Sequence, residues 1–222
     1  MTDWVRGYYA ILDLVVVDPA RPPDGAALLR GLLAEVERRA EPLLAARPCC
    51  LQLRAKSLGA AAMRDAGLWL KGRCHGAGVP FCVNDRLDVA LAVGADVAHL
   101  GQDDLPLEDA RRIAAGRMLI GFSTHNPAQA AAAVAGGADY IGYGPIFDTR
   151  SKLRPDPAVG VEGLRVVAAA SPIPVVAIGG ITLGTVASVA AAGAAAAAVI
   201  AAVNDAPDPA AAGRQVAAAF TR

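Results

Sequence analysis

Eight short apolar runs, separated by longer segments of helical spacing, constrain this chain more than any other feature. They lie at Tyr8 to Val17, Cys49 to Leu53, Phe81 to Val83, Val97 to Leu100, Met118 to Phe122, Tyr140 to Tyr143, Val175 to Ile178 and Ala197 to Ile200. Between them, Leu28, Leu29, Leu32, Leu33 and Val36 recur at helical intervals, and Ala128 to Ala135 follows Asn126-Pro127, an N-cap and a first-turn proline. Parallel strands covered on both sides read as such unbroken runs, because neither face meets water. Eight alternating units in 222 residues predict a (β/α)8 TIM barrel, α/β in class, with 1–222 forming one domain. A doubly wound open sheet is the alternative. The barrel is preferred because polar residues follow six different strands, whereas an open sheet would concentrate them at a single crevice.

Hydrophobic residues make up 55% of the chain, enough for a sizeable aliphatic core despite few aromatics. Basic and acidic residues balance at 21 each, with no dense basic run or stacking-aromatic cluster, so nucleic acid is excluded as a partner. The segment Met1-Thr2-Asp3-Trp4-Val5-Arg6 lacks the features of a secretory signal, which predicts a cytoplasmic protein. The long apolar run Val186 to Val203 is mostly Ala and Gly and is read as a helix followed by a buried strand, so no membrane association is expected. Cys49, Cys50, Cys74 and Cys82 show neither a C-x-x-C pair nor a disulfide spacing and read as reduced core thiols. His75 reads as surface near a helix end. The many alanines are compatible with a homo-oligomer but equally with helix propensity, so oligomeric state stays open.

Chemistry gathers after the apolar runs. Phe81-Cys82-Val83 leads into Asn84-Asp85-Arg86, and His99-Leu100-Gly101-Gln102 leads into Asp103-Asp104, two acidic loops with the layout of a metal site at strand ends. Gln52-Leu53-Arg54-Ala55-Lys56 adds two cations, and Thr149-Arg150-Ser151-Lys152 adds hydroxyls and further positive charge. Carboxylates, cations and hydroxyls together suggest a magnesium-bound pyrophosphate. Arg54 and Lys56, two apart on an extended segment, would project to one side as a planar fork and a point charge. The stretch 144–160 is long, charged and proline-rich, and reads as a lid over the substrate.

In order along the chain, Gln52-Leu53-Arg54-x-Lys56, Asn84-Asp85-Arg86, His99-Leu100-Gly101-Gln102-x-Asp104, Ser123-Thr124-His125, Gly144-Pro145-Ile146-Phe147, Thr149-x-Ser151-Lys152 and Ile178-Gly179-Gly180-Ile181 resemble the thiamine-phosphate synthase family. The resemblance implies a transferase that joins a hydroxymethylpyrimidine diphosphate to a thiazole phosphate, releasing pyrophosphate as the thiazole nitrogen attacks the methylene. It implies Mg²⁺ on Asp85 and Asp104, a diphosphate clamp of Arg54, Lys56, Ser151 and Lys152, and Gln52 reading the aminopyrimidine. It places Asn84 and Ser123 near the diphosphate, and Thr149, Gly180 and the position of Ala201 near the thiazole phosphate. His99 and His125 are assigned to ordering polar contacts with substrate rather than to proton transfer, since expulsion of pyrophosphate needs no strong base, with a satisfied structural histidine as the equal alternative for both.

Other readings of these residues are open. Gln52 could cap a strand end, Ser123 a helix, Asn84 could hold its loop, and Asp85 and Asp104 could be first-turn residues favoured by a helix dipole; that plain reading is preferred for Asp88 and Asp103. The chain also departs from the family pattern. Ala201 stands where a serine commonly helps bind the thiazole phosphate, Ala194 to Ala198 lacks the usual Asp-Gly, Leu12-Asp13-Leu14 replaces the usual Thr-Asp, and Ala55 replaces a Glu. Two alternatives follow: a catalytically silent diphosphate-binding or regulatory relative, supported by Ala201, and a thiazole tautomerase, which would not need Asp85, Asp104, Lys56 or Lys152.

Overall fold

A computed structural model describes residues 4–14, 25–149 and 157–221. The elements alternate as β1 (Gly7–Asp13), α1 (Gly25–Ala45), β2 (Cys50–Arg54), α2 (Ala60–Ala77), β3 (Phe81–Asn84), α3 (Leu87–Val93), β4 (Val97–Leu100), α4 (Leu107–Ala114), β5 (Leu119–Thr124), α5 (Pro127–Ala135), β6 (Tyr140–Tyr143), α6 (Gly160–Ala170), β7 (Val175–Ile178), α7 (Val186–Ala191), β8 (Ala196–Val199), α8 (Ala201–Asn204) and α9 (Pro209–Ala218). Each strand pairs in parallel with the next, and β8 closes on β1 through Gly7↔Ala196 to Ala10↔Val199. The eight-stranded (β/α)8 barrel expected from the periodicity is the fold.

Strand alternation sorts the core into two layers. Tyr8, Ala10, Leu12, Leu51, Leu53, Phe81, Val83, Ala98 and Leu100 point outward and pack with Val36, Leu43, Leu70 and other helix residues. The intervening positions Tyr9, Ile11, Cys50, Cys82, Val97, Tyr140, Val176, Ala196 and Ala198 form a second cluster that contains no helix residue and fills the barrel. Each fully buried Leu or Phe of the outer layer contributes about 1.5–3 kcal/mol. Inside, small residues make room for large ones: a Cβ on Gly121 of β5 would lie 2.1 Å from Tyr140 Cζ, and one on Gly142 of β6 would lie 3.1 Å from His99 Cε1. The interior is therefore built around two rings that need bare backbone beside them.

Local signals behave as their chemistry requires. Asn126 caps α5 by accepting from Gln129 N at 2.9 Å, with Pro127 in the first turn, as expected. Asp88 sits in the first turn of α3 and pairs with Arg86. Val186 to Val203 is a helix followed by a buried strand, as expected, and ends in a short helix. Among the described residues no helix is long and apolar enough to cross a membrane. Cys49, Cys50, Cys74 and Cys82 are unpaired, and His75 is exposed.

Two expectations need correction. The chain does not stay extended from Arg54 to Lys56: β2 ends at Arg54, and Lys56 lies in a turn closed by Leu58 N donating to Ala55 O at 3.1 Å. Side-chain alternation ends with the strand, so the two cations diverge. Nor do Asp103 and Asp104 start a helix, because α4 begins at Leu107 behind Pro106.

Candidate active site

At the C-terminal ends of β1 to β4 the polar side chains meet in pairs. Asp13 and Arg54 are register partners on β1 and β2, and Arg54 Nη1 donates to Asp13 Oδ1 at 2.7 Å with both side chains largely buried. On the other side of β2, Lys56 Nζ lies 3.1 Å from Asp85 Oδ2. Lys56 is more than half exposed, so this pair is available for exchange with a ligand.

Asp85 holds a left-handed backbone conformation, φ 62°, while its N–H donates to His99 O at 2.8 Å. A non-glycine residue there is strained by about 1–3 kcal/mol, a cost that concentrates at functional sites. Asp104 is fixed from the next strand end, its Oδ2 accepting from Gly101 N at 2.7 Å. Burial raises the Asp104 carboxyl above its ordinary value, and the charge and hydrogen bonding of Asp85 raise it further, while the Gly101 N–H and Lys56 partly oppose this. The two carboxylates are held together more closely than they favour on their own.

Below them, the interior is polar at one level. Gln52 is buried, and its Nε2 donates to Tyr9 Oη at 3.1 Å and to Cys82 Sγ at 3.7 Å. Tyr9 Oη and Tyr140 Oη are 2.9 Å apart, Tyr140 Oη is 3.0 Å from His99 Nδ1, and His99 Nε2 is 2.8 Å from Ser123 Oγ. Burial pushes both phenols well above their ordinary pKa, so each keeps its proton. Ser123 ends up bound to His99 inside the mouth, and the helix cap falls to Asn126 instead. Asn84, the last residue of β3, is also buried.

The β6–β8 side of the mouth is made of backbone. His125 Nδ1 lies 2.5 Å from Gly144 O, which ties the end of β5 to that of β6. Ile146 N and Phe147 N donate to Ile178 O and Gly179 O at 2.9 and 3.1 Å, so the first residues of the proposed lid are pinned to β7. Gly179 and Gly180 have φ values of 93° and 64°, and a Cβ on Gly180 would lie 2.5 Å from Asp148 O. The double glycine thus serves the packing of this loop as well as any bound phosphate. Thr149 lies at the loop's described limit, whereas Ser151 and Lys152 fall outside the described residues, as does the middle of the proposed lid. Ala201 opens α8, exposed after β8.

The structure therefore brings together Gln52, Lys56, Asp85, Asp104, His99 and Ser123, with Arg54 turned toward β1. Two participants, Tyr9 and Tyr140, go unread in the sequence, whereas Asp13, read there as a structural or supporting residue, supports Arg54. Asp13 had a readable signal in its register with Arg54 once a barrel is assumed. Tyr140 has only Gly121 on the adjacent strand to mark it, and Tyr9 has no such mark.

Comparison with known proteins adds an independent finding. Residues 29–203 match the family model described as thiamine monophosphate synthase. The chain is 48% identical over 170 residues to a protein of Anaeromyxobacter dehalogenans named thiamine-phosphate synthase, covering 77% of this chain and 76% of that one. It is 45% identical over 166 residues to the protein of that name from Methanoregula boonei, covering 75% and 77%. Among solved structures, a thiamine phosphate pyrophosphorylase from Pyrococcus furiosus superposes with a TM-score of 0.80 at 31% identity, covering 99% of this chain and 98% of that one.

Proposed function

The chain belongs to the thiamine monophosphate synthase family, and from that footing we infer that it condenses 4-amino-5-hydroxymethyl-2-methylpyrimidine diphosphate with thiazole phosphate. The bond from the methylene carbon to the diphosphate oxygen breaks, the leaving oxygen keeps the electron pair, and the thiazole nitrogen forms the new bond. Thiamine phosphate and pyrophosphate result. The observation that carries the site assignment is the convergence of Lys56, Asp85 and Asp104 at the ends of β2, β3 and β4, above Gln52 and Ser123.

Each residue has a role that its surroundings support. Lys56 would leave Asp85 for the diphosphate and stabilise charge as it develops on the leaving group. Arg54, held by Asp13, would contribute positive potential from a fixed position. Ser123 and Asn84 would donate hydrogen bonds to the diphosphate, and Gln52 would read the pyrimidine from within the barrel. Lys152 and Ser151 would complete the clamp, and Thr149, with the backbone at Gly180 and Ala201, would hold the thiazole phosphate. His125 secures Gly144, which argues for a shaping role in that half of the mouth.

The donor set fits Mg²⁺. Asp85 and Asp104 supply two hard oxygen donors whose mutual repulsion a cation would relieve, and magnesium is commonly held by one or two carboxylates together with substrate phosphates. Bound there, it would neutralise charge on the departing pyrophosphate.

Product formation from the two substrates, with and without Mg²⁺ and over a wide range of thiazole phosphate, tests this reading. Magnesium-dependent thiamine phosphate is expected. Tight, metal-dependent diphosphate binding without product would instead identify a silent relative, and turnover in chelator would remove the metal from the assignment.

A further inference from the structure

The hydrogen bonds inside the barrel join into one chain: Gln52, Tyr9, Tyr140, His99, Ser123. One end bears on its direction. The Gln52 amide nitrogen has two hydrogens and two acceptors, Tyr9 Oη and Cys82 Sγ, and Cys82 Sγ in turn donates to Val83 O at 3.7 Å. Turned over, the amide would set its oxygen against that sulfur and satisfy only one of the two contacts. With Tyr9 accepting from Gln52, its own proton can go to Tyr140 and that of Tyr140 to His99 Nδ1, although either partner of each contact could be the donor. In that direction His99 carries hydrogen on Nε2 and donates to Ser123 Oγ, which leaves the serine proton for a ligand. Steric contacts keep the chain in line, since Tyr140 occupies the space above Gly121 and the His99 ring lies against Gly142 and, at 5.5 Å between centroids, Tyr140.

We propose that Tyr9, Tyr140 and His99 are positioning residues that fix both ends of this chain, presenting Gln52 Oε1 purely as an acceptor and Ser123 purely as a donor. The Gln52 end then selects a pyrimidine bearing an exocyclic amino group, whose N–H meets the oxygen, over a ring bearing oxygen there. The Ser123 end selects an anionic oxygen. This proposal rests on the substrate assignment above and deepens it: both hydrogens of the amide are already spent, so the ligand must bring the donor. A site polarised in this way rejects the mismatched ring because two acceptors would face each other.

The first readout is independent of activity. Long-range ¹H–¹⁵N spectra of the whole protein at neutral pH, with its three histidines assigned by the His99→Asn spectrum, report which ring nitrogen carries hydrogen. The Nε2–H tautomer of His99 is expected; an Nδ1–H tautomer or a doubly protonated ring overturns the proposal. The second readout is the ratio of kcat/KM for the 4-amino over the 4-oxo pyrimidine diphosphate. In Tyr9→Phe the amide is free to turn over, and the ratio is expected to fall at least tenfold; an unchanged ratio in a folded variant overturns the proposal. Wild-type protein that makes no thiamine phosphate would defeat the substrate assignment instead, and the tautomer would still decide the hydrogen-bond chain.

Discussion

From β1 to β4 each strand delivers an ionisable side chain to the mouth, Asp13, Arg54, Asp85 and Asp104, whereas from β6 to β8 the described mouth is formed by Gly144, Gly179, Gly180 and Ala201. The first half pairs Arg54 with Asp13 and Lys56 with Asp85 and sets Asp104 against Asp85, so ligand binding there is an exchange of partners. The second half has close backbone packing and positive φ angles, so its properties depend on what is kept out. Substitutions in the two halves should therefore fail for different reasons: loss of charge in one, intrusion of a methyl group in the other.

The largest effect is expected in the charged half. Lys56→Ala should lose at least about a hundredfold in kcat, about 3 kcal/mol of barrier if the ammonium acts as a preorganised donor to developing charge. Because Lys56 is exposed and its pair with Asp85 is solvent-screened, the variant's unfolding midpoint should hardly move. Steady-state kinetics beside thermal unfolding separates the two, and a near-normal rate would remove Lys56 from the reaction.

Gly180→Ala tests the other half and should show the reverse pattern in stability. A Cβ there meets Phe147 Cβ at 2.7 Å and Asp148 O at 2.5 Å on a backbone of positive φ. The expected loss is about 1–3 kcal/mol of folding stability, read by denaturant unfolding, together with a raised KM for thiazole phosphate. An unchanged midpoint would mean that the loop from Phe147 yields without cost, and the contrast between the halves would be wrong.

A smaller gain is expected from Ala201→Ser. A hydroxyl at this exposed position could add one hydrogen bond to an anionic phosphate oxygen, worth about 1.5 kcal/mol at the lower end of the range for a charged partner, or about tenfold in affinity. KM for thiazole phosphate should fall by about that factor with kcat little changed. No change would mean that backbone groups alone hold this phosphate.

The sequence made the charged half legible and left the barrel interior obscure. Asp85 and Asp104 stand out because each lies in an acidic loop after an apolar run, at strand ends that a barrel gathers on one face, and the bounds of β6 and β7 are legible because glycine follows each run at once. β8 was placed one residue late, since a run of alanines carries little contrast at its ends. The divergence of Arg54 and Lys56 was hidden by the turn after Arg54, which no glycine or proline announces before Gly59. The Tyr9–Tyr140 contact spans 131 residues and depends on closure of the barrel, which no local pattern encodes.

The smallest effect concerns the cost of keeping two carboxylates together. In metal-free protein the Asp104 carboxyl titrates above its ordinary value because of burial and of Asp85, so the folded state takes up this proton more readily than the unfolded chain. That difference lowers stability at neutral pH and disappears as pH falls through the folded value, so this site makes the metal-free protein more stable on mild acidification. Asp104→Asn keeps an oxygen for the Gly101 N–H and removes the charge. It should raise the metal-free unfolding midpoint at neutral pH by less than about 1 kcal/mol, since solvent screens a half-exposed pair, and flatten the pH dependence over that window. Added Mg²⁺ should stabilise the wild type at neutral pH and progressively less on acidification, while the variant should respond weakly throughout. An equal magnesium response in both proteins would place the cation elsewhere and leave the charged half of the mouth as an arrangement of ion pairs alone.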